Sequence, residues 1–281
     1  MVSGQNPRNE MKPISNTAFY CCGVRMRDAE ASKPVCGDRY AKIFMNEDGL
    51  RINEAFKDEI RPNASNVVRH RIIDDFLRRE LDANPNLQIV LIGAGFDSRA
   101  YRLNDGKWIE LDEPQIISYK NERLPVADCQ NALQRIPIDF STDSLEQKLI
   151  PFSSRTPVVI VIEGVFMYLE EDAIRSLLQT LCRLFARHKL ICDLMSRRFF
   201  VKYGRTLHEK IAGLGASFIT TDKPDEIFIK NGYRIVDKIS IVGQAIEWGS
   251  VRIPKILFRL FLRNLAQGYS ICVFEPVASR E

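Results

Sequence analysis

The chain has 281 residues, a length that suits one large α/β domain with a substantial core and an appended segment. Forty lysines and arginines stand against 36 acidic residues, a net charge of +4, and the basic side chains are scattered, so composition predicts no nucleic-acid partner. The seven cysteines (Cys21, Cys22, Cys36, Cys129, Cys182, Cys192 and Cys272) form no Cys-x-x-Cys pair and no metal-ligand spacing with the histidines, which predicts reduced thiols in a cytoplasmic protein and no metal site.

In chain order, residues 1–16 are polar and lack the apolar run of a signal peptide. Up to residue 84 the pattern is helical and irregular, without strands, and reads as an N-terminal helical extension or lid. Within it, residues 65–81 place Val68, Ile72, Ile73, Phe76, Leu77 and Leu81 on one helical face, with Ser65 as a cap and Asn84-Pro85 as the stop. From residue 85 short apolar runs alternate with helical segments, as in a parallel sheet with crossover helices. Strands are predicted at 87–93, 107–112, 134–139, 158–162 and 189–195, with helical patterns at 142–149 and 170–187.

A basic and aromatic segment at about 196–228 reads as a cap-like insertion into this core. Two last strands follow, at 233–242 and 269–274. The apolar run 256–262 is interrupted by Arg259 and is far shorter than the ~20 residues of a membrane span, so it is expected to be a core-facing helix or strand. The predicted fold is a Rossmann-like, doubly wound, seven-stranded sheet closed by a hairpin-like pair.

In such a sheet the ligand lies beyond the carboxyl ends of the strands, so those positions carry the functional signal. After the first strand stands Gly93-Ala94-Gly95-Phe96-Asp97-Ser98, whose glycines permit a tight turn and close backbone approach to a ligand. Asp112 ends the second strand 19 residues after Gly93, at the distance where a carboxylate accepts from the two hydroxyls of a ribose. Asp139-Phe140, after the third strand, pairs an acceptor with a ring, a combination suited to adenine. Glu163, directly beyond five apolar residues, needs a cationic ligand or an arginine as partner, because an unpaired charge there is costly. The sulfonium and ammonium of S-adenosylmethionine would supply such a ligand. Nicotinamide cofactors are disfavoured, because Ser98 stands where dinucleotide motifs carry a third glycine or alanine.

At these residues the chain resembles the leucine carboxyl methyltransferase family, including its bacterial members that act on small molecules. The resemblance rests on Ile92-Gly93-Ala94-Gly95-Phe96-Asp97-Ser98-Arg99-Ala100-Tyr101-Arg102-Leu103, on Glu110-Leu111-Asp112-Glu113-Pro114 with Lys120, on Asp139, and on Glu163-Gly164-Val165-Phe166-Met167-Tyr168-Leu169. Ser98 and His70 depart from it, each standing where relatives carry threonine.

The resemblance implies a class I methyltransferase that holds S-adenosylmethionine through Gly93, Gly95, Asp112, Asp139 and Glu163, to which the reading of the turn and of the loop after the third strand adds Ala94 and Phe140. It further implies that an arginine of the upstream helix and Tyr168 sit beside the reacting carboxylate. Helical spacing selects Arg69, which shares a face with Ile73 and Phe76, over Arg71, which faces water. A structural arginine bound to a buried carboxylate, Glu163 included, is the other reading of Arg69. A carboxylate is ionised at neutral pH and needs no general base, so carboxyl O-methylation of a small molecule is the expected reaction. Methylation of a hydroxyl or of a protein C-terminus, a non-catalytic binding protein and a nicotinamide-dependent oxidoreductase stand as alternatives.

Overall fold

The computed structural model describes residues 15–251 and 267–277. The apolar run 256–262 therefore lies outside the described residues.

Three helices precede the sheet: α1 (Asn16–Ala29), α2 (Glu47–Ala55) and the 24-residue α3 (Ile60–Ala83). The core then runs β1 (Gln88–Ile92), α4 (Arg99–Arg102), β2 (Lys107–Asp112), α5 (Pro114–Arg123), β3 (Ala132–Pro137), α6 (Leu145–Leu149), β4 (Val158–Ile162), α7 (Glu171–Leu184) and β5 (His188–Met195). It continues through α8 (Arg197–Phe199), a π-helical turn at Phe200–Gly204, α9 (Arg205–Gly213), α10 (Glu226–Lys230), β6 (Tyr233–Ser240), α11 (Ile241–Glu247) and β7 (Tyr269–Pro276).

The seven strands form one sheet in the order β3-β2-β1-β4-β5-β7-β6, with β7 inserted antiparallel between β5 and β6. The order reverses between β1 and β4, which places the switch point at the ends of these two strands. All five residues of β4 are buried, as a β-branched run covered on both faces requires. On one face of the sheet, Val68, Ile72, Ile73 and Leu77 of α3 share a core with Ile89, Leu91, Val159 and Ile271. On the other, Leu178 and Leu181 of α7 pack with Val90, Ile92, Ile160 and Ile162.

Two local expectations are corrected. The long helix starts at Ile60, so Ser65 lies inside it; Pro62, in its first turn, needs no intrahelical donor there and does not interrupt it. The sixth strand stops at Ser240, whose hydroxyl accepts from Gly243 N–H at 3.0 Å and starts α11, so the apolar Ile241 and Val242 are helical.

Candidate functional site

The turn after β1 is fixed by backbone geometry. Gly93 has φ +70°, and a Cβ there would lie 2.6 Å from Val165 Cγ2, so a side chain is excluded on two counts. Its N–H and that of Ala94 both donate to Leu111 O, at 2.9 and 3.0 Å, anchoring the turn to the end of β2. The neighbouring Asp112 accepts Gly95 N–H on Oδ2 at 2.6 Å and Glu113 N–H on Oδ1 at 2.7 Å. Burial outweighs these bonds and pushes its carboxyl up to about 6. Each oxygen keeps a second lone pair for a ligand hydroxyl.

Beneath the turn lies a buried ionic network that joins the early helices to the strand ends. Glu163 Oε1 accepts from Arg69 Nε at 3.0 Å, while Oε2 accepts from Arg99 Nη2 at 2.8 Å and lies 3.2 Å from His70 Nδ1. Burial would raise its carboxyl, yet Arg99, His70 and Arg69 outweigh burial and hold it well below the usual carboxylate range. Arg69 also donates to Asp193 Oδ2 at 3.1 Å and to the Tyr269 hydroxyl at 2.9 Å. Among the described residues its Nη2 makes only a long contact, 3.9 Å, to Cys21 Sγ.

Arg99 bonds Asp97 and Asp74, and Arg102 bonds Asp74 at 2.6 Å. Ser98 Oγ donates to Asp38 at 2.6 Å, and Arg25 to the same carboxylate at 3.0 Å. Both ring nitrogens of His70 face arginine nitrogens at 2.8 Å, from Arg99 and Arg102, and burial and then Arg99 lower its pKa, favouring the neutral ring. His70, Asp97 and Glu163 approach one another closely enough to hold a cation, and the Arg99 guanidinium, bonded to both acids, already provides one.

Two cavities open on this network. The first, about 620 Å³, is lined by Gly93, Ala94, Gly95, Asp112, Phe140 and Glu163, with Phe96 and Asp97 beside them. The second, about 660 Å³, lies between α3 and the segment after β5, with Tyr20, Met195, Phe199, Tyr203, Leu207 and Phe218 in its wall. Five residues line both: Thr17, Cys21, Arg69, Gly164 and Tyr168. They form a waist shared by the two cavities. At this waist Gly164 has φ +70°, and a Cβ on it would stand 3.2 Å from Arg69 Nη2. Tyr168 is hydrogen-bonded to Thr17, and burial raises its hydroxyl far above the ordinary tyrosine value.

The structure thus brings together eight of the nine residues singled out from the sequence, with Arg69 and Tyr168 at the waist. Asp139 is not among the lining residues; its Oδ1 accepts from Ser141 N–H at 3.0 Å and from the Ser141 hydroxyl, closing the loop after β3. Glu163 meets arginines, the second of the two partners its position called for. Sequence reasoning missed Thr17, Cys21 and Arg25, which α1 contributes, because nothing in a polar-apolar helical pattern shows which distant strand end it will cover.

A family model for leucine carboxyl methyltransferase matches residues 18–182. The chain belongs to the leucine carboxyl methyltransferase family. Among its relatives is a "Putative S-adenosyl-L-methionine-dependent methyltransferase" of Mycolicibacterium smegmatis, 29% identical over 177 residues that cover 57% of this chain and 59% of that one. The chain therefore spans less than two thirds of the length of such relatives. A Frankia alni protein of the same description is 27% identical over 236 residues, covering 78% of this chain and 81% of its own. Two solved structures share the fold at a TM-score of 0.58: a duf574 family protein from Streptomyces avermitilis (11% identical, covering 94% of this chain and 99% of its own) and a protein from Thermobifida fusca (13% identical, covering 98% of each).

Proposed function

We propose that the protein is an S-adenosylmethionine-dependent O-methyltransferase that methylates a carboxylate of a small organic molecule. The observation that carries this reading is the waist: two cavities of ligand size share Arg69 and Tyr168, which puts a donor in one and an acceptor in the other on the two sides of the same pair of side chains. The names of the relatives support the choice of donor.

The first cavity fits that donor by its own chemistry. Asp112 has lone pairs left for ribose hydroxyls, Phe140 offers a ring face at the rim, and the Gly93 turn admits close backbone approach. Behind it Arg25, Arg69, Arg99 and Arg102 pair with Asp38, Asp74, Asp97, Glu163 and Asp193 and so fix the strand ends that floor the cavity. Glu163 acts there chiefly by holding Arg69 and Arg99 in place.

When bound beside Asp112, Phe140 and the Gly93 turn, S-adenosylmethionine would supply an electrophilic methyl group for the acceptor oxygen, the electron pair of the C–S bond staying on sulfur. The chain's part is alignment and exclusion of water. Arg69 Nη2 and the Tyr168 hydroxyl orient the carboxylate at the waist. No histidine is among the described residues lining the second cavity, so a phenol or alcohol finds no imidazole base there, whereas a carboxylate with a pKa near ~4 needs none. The segment 196–228 walls the acceptor side as a cap, and residues 15–84 close the waist. None of the described helices is long and apolar enough to cross a membrane, and all seven cysteines are free thiols, in keeping with a cytoplasmic setting.

The test is product formation. Protein, S-adenosylmethionine and a panel of organic acids must yield S-adenosylhomocysteine with at least one acid. Tight cofactor binding with no product from any acceptor would mark a binding protein, and a fluorescence change of NADH on binding would mark an oxidoreductase.

A further inference from the structure

We infer that the acceptor is an elongated acid with a second anionic group at its far end, and that Arg61 and Lys202 bind that group. The inference rests on the reading of the second cavity as the acceptor site. Both residues line that cavity and are exposed, so they mark its open end, whereas Arg69, 6% exposed, marks the waist. Arg61 stands in the first turn of α3 and Lys202 in the π-helical turn after α8. Neither has an acidic partner among the described residues; Lys202 Nζ lies 5.2 Å from the centre of the Tyr203 ring. The other lysines and arginines lining the two cavities, Arg25, Arg69 and Arg183, each bond an acid: Asp38, Glu163 and Glu146 in turn.

Spacing sets the length of the ligand. Arg61, Ser65 and Arg69 follow one another at four-residue steps on one face of α3, and all three line the cavity, so the two arginines stand ~12 Å apart along the helix axis. Met195, Leu207, Ile211 and Phe218 line the same cavity and suit an apolar stem, against which an anion would be costly. Asp58 and Glu59 are the acids of this lining among the described residues, and both are answered: Glu59 by Lys210 at 2.7 Å, Asp58 by the field of Arg27 and Lys57. The uncommitted charge at the open end is therefore positive. An acid whose methylated carboxylate sits at Arg69 thus carries its second anion beyond an apolar stem, where Arg61 and Lys202 can reach it.

The probes are straight-chain dicarboxylic acids. Sebacic acid, extended, spans such a gap; adipic acid falls short of it. Each is titrated calorimetrically, beside its monocarboxylic counterpart, decanoic or hexanoic acid, into full-length protein loaded with S-adenosylhomocysteine. Sebacic acid is expected to bind about fivefold tighter than decanoic acid, against the hydrophobic trend, and the preference should shrink at high salt. Hexanoic acid should bind tighter than adipic acid. In a protein carrying both Arg61→Gln and Lys202→Gln the preference for sebacic acid should vanish, with affinities for decanoic acid and S-adenosylhomocysteine unchanged; both side chains are exposed, so the fold is not at risk. Decanoic acid binding as tightly as sebacic acid, binding of neither, or a preference that survives the double substitution would overturn the inference. A preference for the diacid that these two residues control, without any methyl transfer, would support the inference and count against the proposed reaction alone. Methylation of monocarboxylic acids with no such preference would do the reverse.

Discussion

Arg69 Nε donates to Glu163 Oε1 at 3.0 Å, and through that bond a residue of the helix ahead of the sheet becomes part of the site at the end of β4. The same guanidinium holds Asp193 of β5 and Tyr269 of β7, so one side chain ties α3 to three strands. Arg69 is therefore a structural arginine and a waist residue at once.

That double role predicts how the pair fails. Glu163→Gln should lower unfolding free energy by about 3 kcal/mol, since it removes the shared anion of Arg69 and Arg99 inside a buried network. Urea denaturation measures it; a loss below ~1 kcal/mol would mean that Asp193, Asp97 and Asp74 suffice.

Tyr168 separates catalysis from stability better than Arg69 does. Tyr168→Phe keeps the ring against Phe218, 5.3 Å between centroids, and deletes only the hydroxyl at the waist. Turnover should fall about tenfold, the loss of one orienting hydrogen bond, while calorimetric affinity for S-adenosylhomocysteine stays within about twofold. Unchanged turnover would remove Tyr168 from the machinery.

Asp112 predicts two pH effects of opposite sign. On the proposed reading its ionised form accepts the ribose hydroxyls, and cofactor affinity should then fall as pH drops through about 6. Because the folded value lies above the unfolded one of 3.8, its contribution to stability is fully present below about pH 4 and is lost as pH rises to about 6. Cofactor titrations between pH 5 and 7 check the first effect, and Asp112→Asn should flatten the profile. Asp38 acts the other way on stability: Arg25 and Arg102, against burial, hold it down at about 2, so its contribution is present above about pH 4 and disappears as pH falls toward 2.

Gly93→Ala should cost about 1–3 kcal/mol of stability and at least tenfold in cofactor affinity. Alanine must adopt φ near +70° with its Cβ pressed on Val165. Thermal melts and calorimetry of the same preparation give both numbers.

Much of this site is legible in the sequence because strands announce themselves. The five apolar residues of β4 make Glu163 conspicuous, and the glycine turn together with Asp112 falls where the sheet must place a nucleotide. By the same logic Asp193, an isolated acid inside the buried β5, carried a readable signal for an arginine partner. The α1 residues at the waist carried none, since each acquires its place only when a helix packs against a surface distant in sequence. Ser240 misled in a different way: a serine that caps α11 looks, within an apolar run, like one more strand residue.

The central claim is that a methyl group crosses the waist to a carboxylate. Incubation with methyl-labelled S-adenosylmethionine and a panel of organic acids, phenols and C-terminal peptides, followed by mild base, tests it most directly. The label should appear on a small acid and be released by base as an ester. Label that resists base on every acceptor, or label confined to a peptide C-terminus, would contradict it.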